Sequence, residues 1–406
     1  MEKGILFIDC NNYKATYKSF KEMVGVENAM YVRTKSLKNE FQVSIPGHLM
    51  VFDYNLKLKK AYSFLDHLSR ASYKDSRGNI WLIDFMNGVS LLPNPQLQTK
   101  YYQKNNKIQK INSIDGRLYL GINEKGFYKF DKLTNEFMLI HKFTKKDNAI
   151  YQIKKDSLAN KNFFIVNDFS YSIKKSNFEE FKIKNTNYLN DNSANYFISS
   201  FKDITSYKGA NYIVTTSRLL KSENQLKGAK VITNKSGLLL AKVFKDELYV
   251  AGSDGLNKLE NETLIKPKIK NDLLHVSICS ITSINNFLII GTDGRGVYLY
   301  DEKEVIHLKN TDGFSIQKIL KKENNLWIAT QKGVHQITLN NADLQNSKLT
   351  NSFYDTDGLV QNNTNDIYIE NDTLFAASDA GLAKININNS IYKQQPRLSF
   401  KSKKIL

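Results

Sequence analysis

Three aspartates, Asp254, Asp293 and Asp379, stand at equivalent points of a recurring motif, each just after a strand-like apolar run. Acid–base catalysis by carboxylates needs a partner group held within reach of the same substrate. At a turn, an Asp side chain more simply accepts a nearby backbone N–H as an Asx turn. We read these three as turn stabilisers and name no catalytic residue. The six histidines, His48, His67, His141, His275, His307 and His335, form no H-x-x-x-H or H-E-x-x-H spacing, so no metal site follows. His335 lies in an alternating segment and is expected on a solvated face. Cys10 and Cys279 are too far apart in the chain to suggest a disulfide framework or a thiolate site. The stretch Gly291-Thr-Asp-Gly-Arg-Gly296 is glycine-rich, but no helix follows it to cradle a phosphate. No cofactor is implied.

Binding is the better use of these residues. Two loop sets recur. The turn after each apolar run holds Asp254, Asp293, Arg295, Gln331, Lys332 and Asp379, and the linker into the following unit holds His275, Phe314, Tyr354, Asn362 and Asn363. Aromatic rings beside Arg and Asn suit a sugar that carries acidic groups.

The elements that must position these loops are strands. Asp115-Gly-Arg-Leu-Tyr-Leu-Gly121, Asp246-Glu-Leu-Tyr-Val-Ala-Gly252, Asn286-Phe-Leu-Ile-Ile-Gly-Thr292, Asn325-Leu-Trp-Ile-Ala-Thr330 and Asp372-Thr-Leu-Phe-Ala-Ala-Ser378 share one pattern. A polar turn leads into an apolar strand with a bulky second residue, and a glycine then opens another strand. Asn79-Ile-Trp-Leu82 with Gly88-Val-Ser-Leu91 is a sixth copy, and weaker copies centre on Leu6, Gln42, Phe164 and Ile213. The bulky positions, from Leu6 through Trp81, Tyr119, Tyr249 and Trp327 to Phe375, recur on average every 41 residues. No stretch has sustained helical periodicity, although Tyr62–Leu68 has room for a turn or two.

Short strands, frequent turns and a unit of about forty residues describe an all-β propeller of four-stranded antiparallel blades. One such blade cannot cover both of its faces; neighbours around a ring do. The bulky residues, Trp81, Tyr249 and Trp327 among them, are therefore expected between blades. Ten repeats partition as three blades of an incomplete propeller over 1–99 and a seven-bladed ring over 100–392. An open or ten-bladed arrangement is the alternative.

The net charge is +18, from 58 Lys and Arg against 40 Asp and Glu, yet arginine is sparse and unclustered. Phosphate readers favour the bidentate Arg fork, so the charge reads as a solvated lysine-rich surface and no nucleic-acid partner is expected. No apolar run approaches the roughly 18 residues of a membrane span, so this segment makes no membrane contact of its own. Residues Ile5–Ile8 are too short a core for a signal peptide. Taken literally the chain is cytoplasmic; the alternative is a piece of an exported protein.

The motif pair resembles the two-component regulator propeller repeat. Asn325-Leu-Trp-Ile-Ala-Thr330 with Gly333-Val334, and Leu288-Ile-Ile-Gly-Thr-Asp-Gly-Arg-Gly-Val297, reproduce it well, and Tyr354-Asp-Thr-Asp-Gly-Leu-Val-Gln-Asn-Asn-Thr-Asn-Asp-Ile367 resembles its linker. The likeness runs from about residue 75 onward and is poor over 145–235. Gln395-Pro-Arg-Leu-Ser-Phe400 resembles the start of the immunoglobulin-like triple-tyrosine domain that follows such propellers, which assigns 393–406 to that domain. The resemblance implies an extracytoplasmic or periplasmic sensor of two rings, often for oligosaccharides, that feeds a histidine kinase or DNA-binding output. Fourteen implied repeats against ten found lead to the expectation that this chain is a fragment. The expectation is a non-catalytic ligand-sensing module for an oligosaccharide or similar small molecule. A protein-interaction scaffold, its own homodimer included, is the alternative, ahead of a propeller lyase or glycosidase and of nucleic-acid binding.

Overall fold

Among the described residues, six hairpins that join the first and second strands of a sheet turn on two-residue loops whose first residue sits in the left-handed region. Asp115, Lys208, Lys245, Asn285, Glu323 and Asn371 have φ between 44° and 52°, and the flanking pairs Ile114–Arg117, Phe244–Glu247 and Lys322–Asn325 close tightly around them. Such loops match the twist of the strands they join. The recurring glycine has an equally local cause. Gly126, Gly255, Gly333 and Gly381 open the third strand of their sheets with φ of 155°, 98°, 111° and 136°. At Gly333 an added Cβ would lie 2.5 Å from the Phe353 carbonyl oxygen, so no larger residue fits.

The computed structural model describes residues 2–387 except 10–11, 38, 64–68, 76–77, 85–87, 93–98, 144–148, 159–162, 168–171, 175–179, 183, 186–200, 224–225, 227 and 269–274. The expected start of an immunoglobulin-like domain over 393–406 lies outside the described residues. So does most of Tyr62–Leu68, whose first two residues end the strand Leu58–Ser63. No described helix is long and apolar enough to cross a membrane.

The chain divides into two units, Met1–Gln98 with Asn389–Leu406, and Thr99–Asn388. In the first, Gly4–Ile8 pairs with Ala15–Ser19, and a one-turn helix, Phe20–Val24, follows. Ser19 caps that helix and Gly25 ends it at φ 77°. A four-stranded sheet, Arg33–Ser36, Phe41–Ile45, His48–Phe52 and Leu58–Ser63, comes next. The strands Ser69–Lys74, Ile80–Asp84 and Gly88–Leu92 form another sheet. Gln42 is buried, and its amide pairs with both backbone groups of Lys74, at 3.0 and 3.1 Å.

In the second unit the described residues form seven sheets. Their first strands are Ile108–Ile114, Ile150–Lys155, Phe201–Tyr207, Leu238–Phe244, Ile278–Ile284, Ile316–Lys322 and Thr364–Glu370. Each packs against the next, and the last packs against the first. The seventh sheet takes its outermost strand from the opposite end of the unit. Lys100–Tyr102 pairs antiparallel with Gly381–Asn386, Tyr102 opposite Leu382.

The apolar clusters lie between sheets rather than inside any one of them. Tyr102, Phe375 and Leu382 of the seventh sheet pack with Ile111 and Leu120 of the first, and Tyr249 and Leu256 pack with Leu288 and Tyr298. Tyr249, Trp327 and Phe375 are buried as the repeat implied. Two marker residues are not. Trp81 is 39% exposed and Leu6 is 58% exposed. In the strand of Trp81 the inward side is Ile80 and Leu82, with Trp81 and Ile83 facing out; its indole N–H donates to Asp75 Oδ2 at 3.0 Å. Leu6 lies in a two-stranded sheet, where only one face is covered. The side chain of Phe164 lies outside the described residues.

Candidate functional site

Antiparallel strands alternate in direction, so the turn leaving each second strand and the linker leaving each fourth strand lie at the same end of a sheet. The structure gives all three turn carboxylates structural partners. Asp254 is met by Lys235 at 2.8 Å and Lys266 at 3.3 Å. Burial works against its charge, but the two ammonium groups hold its carboxyl below the usual range. Asp293 accepts a hydrogen bond from the Ser315 hydroxyl at 2.5 Å, and Asp379 accepts from Asn365 Nδ2 at 2.7 Å and pairs with Lys107 at 3.0 Å. Ser315 and Lys107 precede the first strand of the adjoining sheet, so both aspartates tie neighbouring blades together.

Phe314, Tyr354 and Asn362 gather at the end of the sixth sheet. The Phe314 ring stacks on His335 with centroids 4.5 Å apart, and Tyr354 meets the same imidazole edge-on at 6.0 Å. The Asn362 carbonyl accepts the Gly333 N–H at 2.8 Å, and its side-chain oxygen accepts the Asp355 N–H at 2.8 Å. His335 itself corrects the expected solvated placement. It is 3% exposed between Val334 and Ile337, and its Nδ1 lies 2.9 Å from Ser352 Oγ. Burial lowers its pKa to about 4. Arg295, Gln331, Lys332, His275 and Asn363 are exposed. The Gln331 and Lys332 amides are anchored by Ser315 O and Thr330 Oγ1.

A second set of groups was missed by the sequence reading. Every first strand of the second unit has a register irregularity at the same place, between Ile108 and Lys110, Phe201 and Asp203, Ile316 and Lys318, Thr364 and Asp366, and their counterparts. A bulge re-aims the side chain beside it. Here it brings charged residues from different blades together. Lys154 lies 2.6 Å from Asp203, while Lys110 and Lys318 approach Asp366 at 3.8 and 3.9 Å. Burial lowers the proton affinity of Lys110, and the Lys318 and Lys154 charges add to that against the pull of Asp366. Lys242 is lowered by burial and then by Lys154, with Asp203 opposing. The available signal covers part of the set: Lys110, Asp203, Lys318 and Asp366 stand two places after the first residue of their inner strands, whereas Lys154 and Lys242 stand four places after it.

Among the described residues no group of His, Cys, Asp and Glu is arranged to hold a metal ion. No family model and no curated protein matches the chain. Solved structures do. The WD40 repeats of RRP9 superpose on 72% of this chain and 98% of their own, at 10% identity and a TM-score of 0.51. This chain is a β-propeller. An extracellular domain assigned to a hybrid two component system of B. thetaiotaomicron matches 96% of it at 15% identity, with a TM-score of 0.57. An extracellular domain assigned to a one component system of the same organism matches 98% at 14% identity, with a TM-score of 0.60. The propeller chain spans 54% and 57% of those two domains. At such identities the likeness concerns the fold.

Proposed function

We propose that this propeller is a non-catalytic ligand-sensing module of a two-component-type signalling protein, and that its loop face binds an oligosaccharide or a similar extracellular ligand. The observation that carries this reading is the fold match along 96% and 98% of the chain to extracellular domains assigned to regulatory systems. The loop face supports it. Exposed Arg295, Gln331, Lys332, His275 and Asn363 offer hydrogen-bonding and charged groups at the blade ends, beside the half-buried rings of Phe314 and Tyr354. The turn carboxylates support the non-catalytic part, because Asp254, Asp293 and Asp379 are engaged in ties within and between blades. In this reading 100–392 forms a seven-bladed ring, 1–99 contributes three blades of an incomplete second propeller, and the whole protein works outside the cytoplasm with a kinase or DNA-binding output.

A thermal-shift series against acidic and neutral oligosaccharides tests it, since a ligand that binds only the folded state raises its melting temperature. Stabilisation that is lost in Arg295→Ala supports the loop face. No stabilisation by any sugar counts against it.

One observation favours a protein partner as a second reading. Met138, Leu139 and Ile140 are 56%, 51% and 40% exposed on the outermost strand Glu136–Lys142 of the first sheet. Such an edge is open to another chain or a second copy. Light scattering separates the two readings, because association there survives Ala at Arg295 and His275.

A further inference from the structure

Four ammonium groups, from Lys110, Lys154, Lys242 and Lys318, face two carboxylates where the first strands meet, and both carboxylates are already committed. Asp203 accepts the N–H groups of Ile204 at 2.7 Å and Ala241 at 2.9 Å as well as pairing with Lys154. Asp366 accepts those of Ile367 at 3.0 Å and Ile111 at 3.2 Å, and two lysines share it at 3.8 and 3.9 Å. The Lys242 ammonium has no ion pair or hydrogen bond among the described residues; Asp203 acts on it only at longer range. With every lysine protonated, four ammonium groups against two carboxylates give an excess of two positive charges in a partly desolvated space.

We propose that this cluster binds a compact dianion of the phosphate or sulfate class, with Lys242 as its principal ligand and Lys110 and Lys318 completing the charge. An oxyanion presents several acceptors to –NH3+ groups that have only donors. Solvent reaches the place, because the side chains of Lys110, Lys154 and Lys318 keep exposures of 19%, 31% and 31%. The lysines come from four different strands, so the site exists only in the assembled blades. Like charges held together in reduced dielectric repel, and a dianion removes that repulsion. This site is separate from the loop face and stands or falls independently of it.

The test is titration calorimetry and thermal shift with sodium phosphate, sodium sulfate and glycerol 3-phosphate, against sodium chloride at equal ionic strength. The expected result is saturable one-to-one binding of at least one dianion, weakened about tenfold or more in Lys242→Met and in Lys318→Met, and unchanged in Lys348→Met on an outer strand. Tighter binding of the ester than of inorganic phosphate identifies an esterified ligand; the reverse identifies the free ion. Stabilisation no greater than that by chloride overturns the proposal. So does affinity undiminished in both Lys242→Met and Lys318→Met. Lys242→Met removes a charge that has no ion pair among the described residues and is expected to fold, and Lys318→Met supplies an independent second variant.

Discussion

The Asp366 carboxylate accepts the backbone N–H of Ile111 at 3.2 Å, joining residues 255 positions apart in the chain. Ile111 lies on the innermost strand of its sheet, whose inner edge has no further strand to pair with. Two other blades solve the same problem alike: Asp203 Oδ2 accepts from Ala241 N and Ser280 Oγ accepts from Ile319 N, both at 2.9 Å. Removing the carboxylate in Asp366→Ala strands two N–H groups and leaves Lys110 and Lys318 without a counter-charge. Breaking such a buried arrangement costs about 3–5 kcal/mol, measured as a lower urea midpoint. Asp366→Asn retains an acceptor and is expected to lose less.

The two tryptophans test the burial pattern against each other. Trp327 is 3% exposed with its ring 5.8 Å from Phe353, and Trp327→Ala is expected to cost about 3–5 kcal/mol. Trp81 is 39% exposed and holds one hydrogen bond to Asp75. Trp81→Ala is expected to cost roughly 1 kcal/mol, near the value of that bond. Equal losses in denaturant titrations would contradict the placement of one of them.

The same contrast shows why some of the fold was legible and some was not. The hairpin turns and the glycines of the repeat follow from local backbone demands, so Asp115-Gly116 and Gly333 announce themselves in sequence. Trp81 and Leu6 share the motif, but burial depends on whether a neighbouring sheet covers that face, and no local pattern encodes a neighbour. His335 misled for the converse reason. Alternation normally marks a half-exposed strand, whereas in the sixth sheet Val334, His335 and Ile337 are all buried. The pairing of the lysines and aspartates of the inner strands could not be read from sequence, because a bulge shifts which residues share a face and because their partners are distant in the chain. Of the loop residues, sequence identified which stand at blade ends; it did not foresee that Asp254 and Asp379 would be engaged by lysines.

His335 makes stability depend on pH in a stated direction. Its folded pKa of about 4 lies below its ordinary value of 6.5, so the unfolded chain takes up the proton first as pH falls. The stability contribution is whole above pH 6.5 and is lost progressively down to about pH 4, by up to roughly 3 kcal/mol. The slope between pH 6.5 and 5, where few carboxylates titrate, is expected to be shallower in His335→Phe. Urea unfolding at four pH values measures it. An identical slope in the variant would show that the imidazole is protonated freely.

The closing strand gives the last expectation. Lys100–Tyr102 has only three residues, too few to matter if it merely decorated an edge. Yet Tyr102 is 3% exposed, meets Phe130 and Phe137 edge-on at 6.1 and 5.4 Å, and places its hydroxyl 3.1 Å from Asn135 Oδ1. Its ring thus belongs to the cluster that joins the first sheet to the seventh. Tyr102→Ala removes that aromatic contact and opens a cavity at the seam, at an expected cost of about 3–5 kcal/mol. Because the seam joins the two ends of the unit, faster hydrogen exchange should appear together in Gly381–Asn386 and Glu136–Lys142, with Leu238–Phe244 much less affected. Loss confined to residues beside the mutation would mean that the ends are not coupled through this strand.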